Sequence, residues 1–173
     1  DWVVRTGNAS TTSAGFSIET DAAGNVYTAG RLFGTIDFDP GTGTVTLISA
    51  GQTDGFISKL DPLGNLIWAK QVGGTLDDWI YEHAVDAAGN VYATGPFQGT
   101  ADFDPGTGVF NLTAAAGNYD IFILKLDTDG NFVWAKKIGG SGFDLSRGIV
   151  VGLSGSVFTT GSFEGTVDFD PGA

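Results

Sequence analysis

The chain has 173 residues, 42% of them hydrophobic, and a formal charge of −12 from 20 acids against 8 bases. That balance lacks the basic stripe a nucleic-acid backbone demands and disfavours anionic membrane surfaces, so neither is an expected partner. Cys and Met are absent, which excludes a disulfide framework and thiol chemistry, and no apolar run approaches the 18 residues of a membrane span. With no leading Met and no signal peptide, the sequence reads as a mature product or an excised piece.

In chain order, WVVRTG from Trp2 reads as the last strand of a preceding unit, within residues 1–10. GNVYTAG at Gly24–Gly30 then returns as GNVYATG at Gly89–Gly95 and as GSVFTTG at Gly155–Gly161. DFDPG starts at Asp37, Asp102 and Asp168, and WAK starts at Trp68 and Trp134, at offsets of 65 or 66 residues. A fixed period of this kind denotes an array of one supersecondary unit. The copies divide the chain into residues 11–75, residues 76–140 and the first half of a third unit over residues 141–173.

The second unit is the most complete. Tyr81, His83 and Val85 alternate with Glu82, Ala84 and Asp86, the period of a strand. DAAGN is a turn, VYATGPF a second strand, and GTADFDPGTG an extended excursion ending in a Pro-Gly turn. VFNLTAAA offers a further strand, and DIFILKLD and FVWAKKI flank a DTDGN hairpin turn. No stretch has helical periodicity with caps. The chain is therefore expected to be all-β, with four antiparallel core strands per unit and a DFDPG excursion between the second and third, as in a propeller blade.

The pattern D-x-x-G-N-V-Y-x-x-G-x-F-x-G-T-x-D-F-D-P-G, followed by D-x-F-I-x-K-L-D-x-x-G-N-x-x-W-A-K-x-x-G-G, resembles the SBBP-type β-propeller repeats over essentially the whole chain. The resemblance implies a propeller fold and a secreted or cell-surface bacterial setting, and it carries no active site. About two and a half units fall short of the four to eight blades of a closed ring. The expected partners are further blades of a longer chain or other copies of this one.

DFDPG is the first candidate for chemistry. In an extended segment Asp37 and Asp39 share one face, as do Asp102 with Asp104 and Asp168 with Asp170. Paired carboxylates before a turn with free carbonyls are a Ca²⁺ arrangement, but Gly41 falls at position five and Ile48 at position twelve of an EF-hand count, neither matching. The alternative is a strand whose Phe packs inward and whose Asp residues cap turn N–H groups. Trp79 has no aromatic counterpart, Ala14 and Leu145 standing in its place, and is the candidate ligand contact. The repeated Trp2, Trp68 and Trp134 are expected to pack between blades. His83, aligned with Ile18 and Ile149, is expected to be buried and satisfied, and Lys59 and Lys125 to face acids. Asn8 and Asn111 begin sequons that carry little weight for a bacterial protein.

Neither GGSGF nor GLSGS completes a nucleophile elbow, and no phosphate loop is present. The carboxylate pairs recur, whereas a catalytic pair needs a singular environment. The expectation is a non-enzymatic propeller repeat module for scaffolding, adhesion or self-assembly. The alternatives are a glycan- or polymer-binding propeller supported by Ca²⁺ and, third, an enzyme completed by missing blades.

Overall fold

A computed structural model describes residues 3–5, 12–115 and 117–170. Trp2 and the Asn8 sequon lie outside the described residues. The described residues form antiparallel sheets with no helix, and none of their segments is a helix long and apolar enough to cross a membrane.

The first blade is a meander of β1 (Thr12–Thr20), β2 (Val26–Asp37), β3 (Thr46–Leu60) and β4 (Leu66–Gly74), each hydrogen-bonded to the next. The second begins with β5 (Glu82–Val85) and β6 (Val91–Gln98). The chain then departs as a short arm, β7 (Thr100–Asp102) and β8 (Asn111–Thr113), before β9 (Tyr119–Leu126) and β10 (Phe132–Gly140) complete the meander in the order β5-β6-β9-β10. A third blade is represented by β11 (Leu145–Val151), β12 (Val157–Ser162) and the arm strand β13 (Val167–Asp168). Among the described residues the sheets do not close on themselves.

The expected excursion is present, and its destination is the preceding blade. β7 pairs with the end of β4 through Gly73↔Asp102 and Gly74↔Ala101, and β13 pairs with β10 through Gly139↔Asp168 and Gly140↔Val167. The second and third units thus extend the outer edge of the unit before them, covering the unpaired backbone groups there. In the first unit the equivalent arm is continuous with β2 and β3, which stay paired out to Asp37↔Thr46.

Turn chemistry explains the recurrent hairpins. Asp61 Oδ1 accepts the N–H groups of Leu63 and Asn65, its Oδ2 accepts the Asn65 amide, and Gly64 adopts φ 85°. Asp21, Asp86 and Asp127 repeat the arrangement with Asn25, Asn90 and Asn131. The third unit has Gly152 and Ser156 in place of Asp and Asn, and it keeps the backbone turn alone.

The main core lies between the first two blades. Tyr27, Ile57 and Val72 of the first meet Val91, Phe97, Phe122 and Leu124 of the second, with Phe103 of the arm among them. Trp68 packs against this cluster, edge-on to Tyr27, and its Nε1 donates to the Thr128 carbonyl of the second blade at 3.2 Å. Trp134 occupies the same place in the cluster shared with the third blade. Both Trp residues therefore pack between blades, as their repetition implied.

The expected pairing of Lys59 and Lys125 with acids is not what forms. Lys59 Nζ lies 5.0 Å from the Tyr27 ring centre and Lys125 Nζ 4.9 Å from that of Tyr92. Each ammonium rests on an aromatic face beside its strand, and Lys59 also donates to the Thr128 carbonyl.

One glycine in each unit sets the approach of the inner strand to the second. A Cβ on Gly30 would overlap the Ala14 carbonyl, one on Gly95 the Trp79 carbonyl, and one on Gly161 the Leu145 carbonyl. The close partner is backbone, which cannot swing aside. Gly95→Ala is expected to lower the melting temperature by about 2–10 °C, from roughly 1–3 kcal/mol of overpacking. Gly15→Ala, where a Cβ meets nothing within 4 Å, leaves it unchanged. Thermal unfolding followed by circular dichroism checks the pair.

Candidate functional site

The inner strands carry a repeated irregularity. Their register to the second strand shifts between Gly15 and Ser17 and between Ser146 and Gly148, leaving Phe16 and Arg147 as the extra residues. Tyr81 holds the equivalent position beside β5, its N–H bonding to the Thr94 carbonyl at 3.0 Å. A bulge re-aims its side chain. Here it brings Phe16, Tyr81 and Arg147 of three successive blades into one row, with ring centres 5.4 Å apart for Phe16 and Tyr81 and the Arg147 guanidinium 5.4 Å from Tyr81.

Trp79 joins that row two residues before Tyr81. Its ring centre lies 5.8 Å from Tyr81 and 5.4 Å from Tyr119, and Tyr119 lies 5.8 Å from Phe143. Arg31 crosses the line of rings, 5.1 Å from the Trp79 ring and 5.8 Å from Phe16. Trp79 Nε1 donates to Thr53 Oγ1, which donates to Asp77 Oδ1, fixing the indole. Tyr119 has its phenol pKa raised by burial and then by the Asp77 charge. Trp79, Tyr81 and Tyr119 are half-buried, while Phe16, Phe143 and Arg147 are exposed. The surface is an open face of linked rings.

The identities on this face do not recur. Trp79 aligns with Ala14 and Leu145, Tyr119 with Thr53, Phe143 with Asp77, and Arg31 with Pro96 and Ser162. Sequence reasoning singled out Trp79 by this criterion. Tyr119, Phe143 and Arg31 meet the same criterion and could have been singled out with it; that they meet Trp79 on one face is decided by bulges and loops, which single-strand periodicity does not register.

The recurrent acids sit elsewhere. Asp37 Oδ1 accepts the N–H groups of Asp39 and Val45, and Asp102 Oδ1 those of Asp104 and Phe110. Asp39 and Asp104 cap the N–H groups of Gly41 and Gly106 in turn, and Asp168 accepts from the Asp170 N–H. Phe38 and Phe103, on the opposite face, are fully buried. Among the described residues no three or more His, Asp or Glu side chains gather in one group.

Two further repeated acids are buried. Asp78 Oδ2 accepts the Gly74 N–H and its Oδ1 the Gln98 N–H, while its own N–H donates to the Thr53 carbonyl. Asp144 makes the same three bonds with Gly140, Glu164 and Tyr119. Burial pushes the Asp78 carboxyl up to about 7, against the pull of its two N–H donors.

Asp54 and Asp120 are the second buried pair, and their settings differ. Lys137 Nζ lies 2.7 Å from Asp120 Oδ2. At the matching position Gln71 donates to Asp54 Oδ2 at 2.6 Å, so Asp54 receives a neutral amide where Asp120 receives a cation. Burial raises the Asp54 carboxyl to about 6, with the Ala50 and Gln71 bonds working against it. The other carboxylate oxygen in each residue has no partner among the described residues.

His83 is buried, as expected, but only half satisfied. Its Nδ1 meets Ser17 Oγ, and its Nε2 has no partner among the described residues. Burial holds its pKa down to about 4, with Glu82 opposing, so the ring is neutral at pH 7. A groove of about 690 Å³ runs beside it between β1, β5, β11 and β12, flanked by Glu19 and Glu82.

No family model matches the chain. Over 123 residues, 69% of this chain, it is 30% identical to an uncharacterised WD repeat-containing protein of Acanthamoeba polyphaga mimivirus. The match spans 9% of that protein's length. The all-β meanders and this relative together fit a propeller-like repeat fold.

Asp54 gives a pH test whose sign is fixed. A carboxyl with a raised folded-state pKa binds its proton more tightly when folded, so the contribution of Asp54 to stability falls as pH rises from about 4 to 6 and then levels. Asp54→Asn is expected to remove that portion of the slope in urea titrations across this range. Gln71→Lys, which installs the counter-charge found at Asp120, is expected to raise the melting temperature at pH 8 by a few degrees. Lys137→Gln is expected to lower it.

Proposed function

We propose that this chain is a non-enzymatic interaction module, a run of propeller-type blades within a larger repeat protein. The observation that carries the reading is a division of labour. The recurrent polar side chains are engaged in turns, caps and blade-to-blade bonds, whereas non-recurrent aromatic and cationic side chains gather on one face. The WD repeat-containing relative supports the repeat-module reading. Membership of the SBBP-type repeats and a secreted or cell-surface bacterial setting belong to the same proposal, on the strength of the sequence pattern. Within it the DFDPG acids serve as turn caps, and millimolar Ca²⁺ leaves the melting temperature unchanged. A rise on adding Ca²⁺ would favour the ion-supported alternative.

Further blades, or other copies, are the partners proposed for the third blade. Phe158, Phe163 and Phe169 are 61%, 55% and 60% exposed, whereas their counterparts Tyr92, Phe97 and Phe103 are at most 2% exposed. Phe97 and Phe103 both pack on Phe122 of the third strand of their own blade. Appending a copy of residues 108–140 after Ala173 supplies the matching strands. The extended chain is expected to melt at a higher temperature and to bind less of a hydrophobic dye than the parent. An unchanged melt and unchanged dye binding would count against the blade reading. Specific turnover in a broad hydrolase screen, abolished by one point mutation, would overturn the non-enzymatic reading.

A further inference from the structure

The ring-and-arginine face has a charge pattern that narrows what it recognises. The chain contains three Arg residues, and two of them, Arg31 and Arg147, lie on this face. Neither has a carboxylate partner among the described residues, whose one ion pair is Lys137 with Asp120. In a chain of net charge −12, what sets these two guanidiniums apart is that they lie together on one face and rest on aromatic rings rather than on carboxylates.

Their placement favours one class of ligand. Arg31 is held over Trp79 and Phe16, and Arg147 over Tyr81. Stacking fixes the planar guanidinium and leaves its N–H edge to bind a carboxylate in two-point fashion. The same stacking occupies ring faces that a sugar would need for its own C–H stacking. Around these cations lie ring edges, phenols and the exposed Phe143, a mixture of Trp, Tyr, Phe and Arg that typifies the energetic centre of protein–protein interfaces. Phe16, Phe143 and Arg147 are exposed along the face, within reach of a chain segment laid across it.

We infer that this face docks a protein segment bearing carboxylate side chains beside an apolar one, with Arg31 and Arg147 receiving the carboxylates and the Trp79–Tyr119–Phe143 line receiving the apolar group. The inference rests on the reading of the chain as an interaction module. The overall negative charge serves selectivity: long-range repulsion discourages polyanions at large, and only a partner that reaches both guanidiniums gains their attraction.

Selection of a random peptide library displayed on phage against the 173-residue chain tests this. Enriched peptides are expected to pair Asp or Glu with an aromatic or aliphatic residue and to bind more weakly as salt rises. Binding of a synthetic representative is expected to fall about tenfold or more when its acids become Gln or Asn, and equally with Arg147→Gln or Arg31→Lys in the protein. Asp129→Asn, in a distant hairpin turn, leaves it unchanged. Circular dichroism and the melting curve of each variant separate lost binding from lost folding; Arg147, exposed at a bulge, is the safer substitution. No enrichment over the Arg31→Lys, Arg147→Gln double variant overturns the inference, as does binding indifferent to the peptide's acids. Binding of oligogalacturonate without any peptide would assign the face to acidic sugars instead. Failure of the module reading looks different: it appears as catalytic turnover, or as the absence of a cooperative melt.

Discussion

A buried aspartate at each blade junction holds the architecture together. Asp78 and Asp144 each gather three backbone bonds: one from the outer strand of their predecessor, one to its third strand, and one from the end of the second strand of their own unit (Gln98) or just past it (Glu164). An aspartate side chain is short enough to sit inside the junction and offers two oxygens in one plane, so two N–H groups from different units converge on it. The arm strands lie close by and pair with Gly73, Gly74, Gly139 and Gly140. Packing of the aromatic core between blades depends on this fixed spacing, as does the alignment of bulged side chains into a row.

Such a junction is costly to assemble and specific once made. Burial works against the ionised forms of Asp54 and Asp78, while N–H and amide donors hold them in place. The second unit offsets the cost with Lys137, and the first leaves it standing at Gln71. Two copies of one design, folded in one chain, thus display the same buried carboxylate with and without a counter-charge. The ring-and-arginine face follows the same logic outward: its backbone geometry is common to all three blades, and only its side chains are particular.

Much of this was legible in the sequence. The repeat offsets identify the units, and apolar runs bounded by turn residues locate strands such as Val91–Gln98 and Tyr119–Leu126 to within a residue or two. The Asp-Gly-Asn turns follow from local chemistry, and the repeated Trp residues fall between blades. What escaped involves partners distant in the chain. Nothing within DFDPG says that its strand pairs with the preceding blade, because a two-residue ladder on Gly-Gly leaves no side-chain pattern. Lys59 and Lys125 read as facing acids because strand alternation ignores the Tyr one strand away. Trp79 was conspicuous by failing to recur, whereas Tyr119 and Phe143 became neighbours only through folding.

The arms also bear on how such a chain lengthens. Because the second unit carries both the arm it donates to the first and the edge that receives the arm of the third, the sequence period and the physical blade are out of phase. A duplication of 65 or 66 residues can therefore begin at any point in the period and still restore each junction, provided its length is whole. The overlap makes the tandem array indifferent to where it is cut, which is the property gene duplication needs in order to extend it without first breaking it.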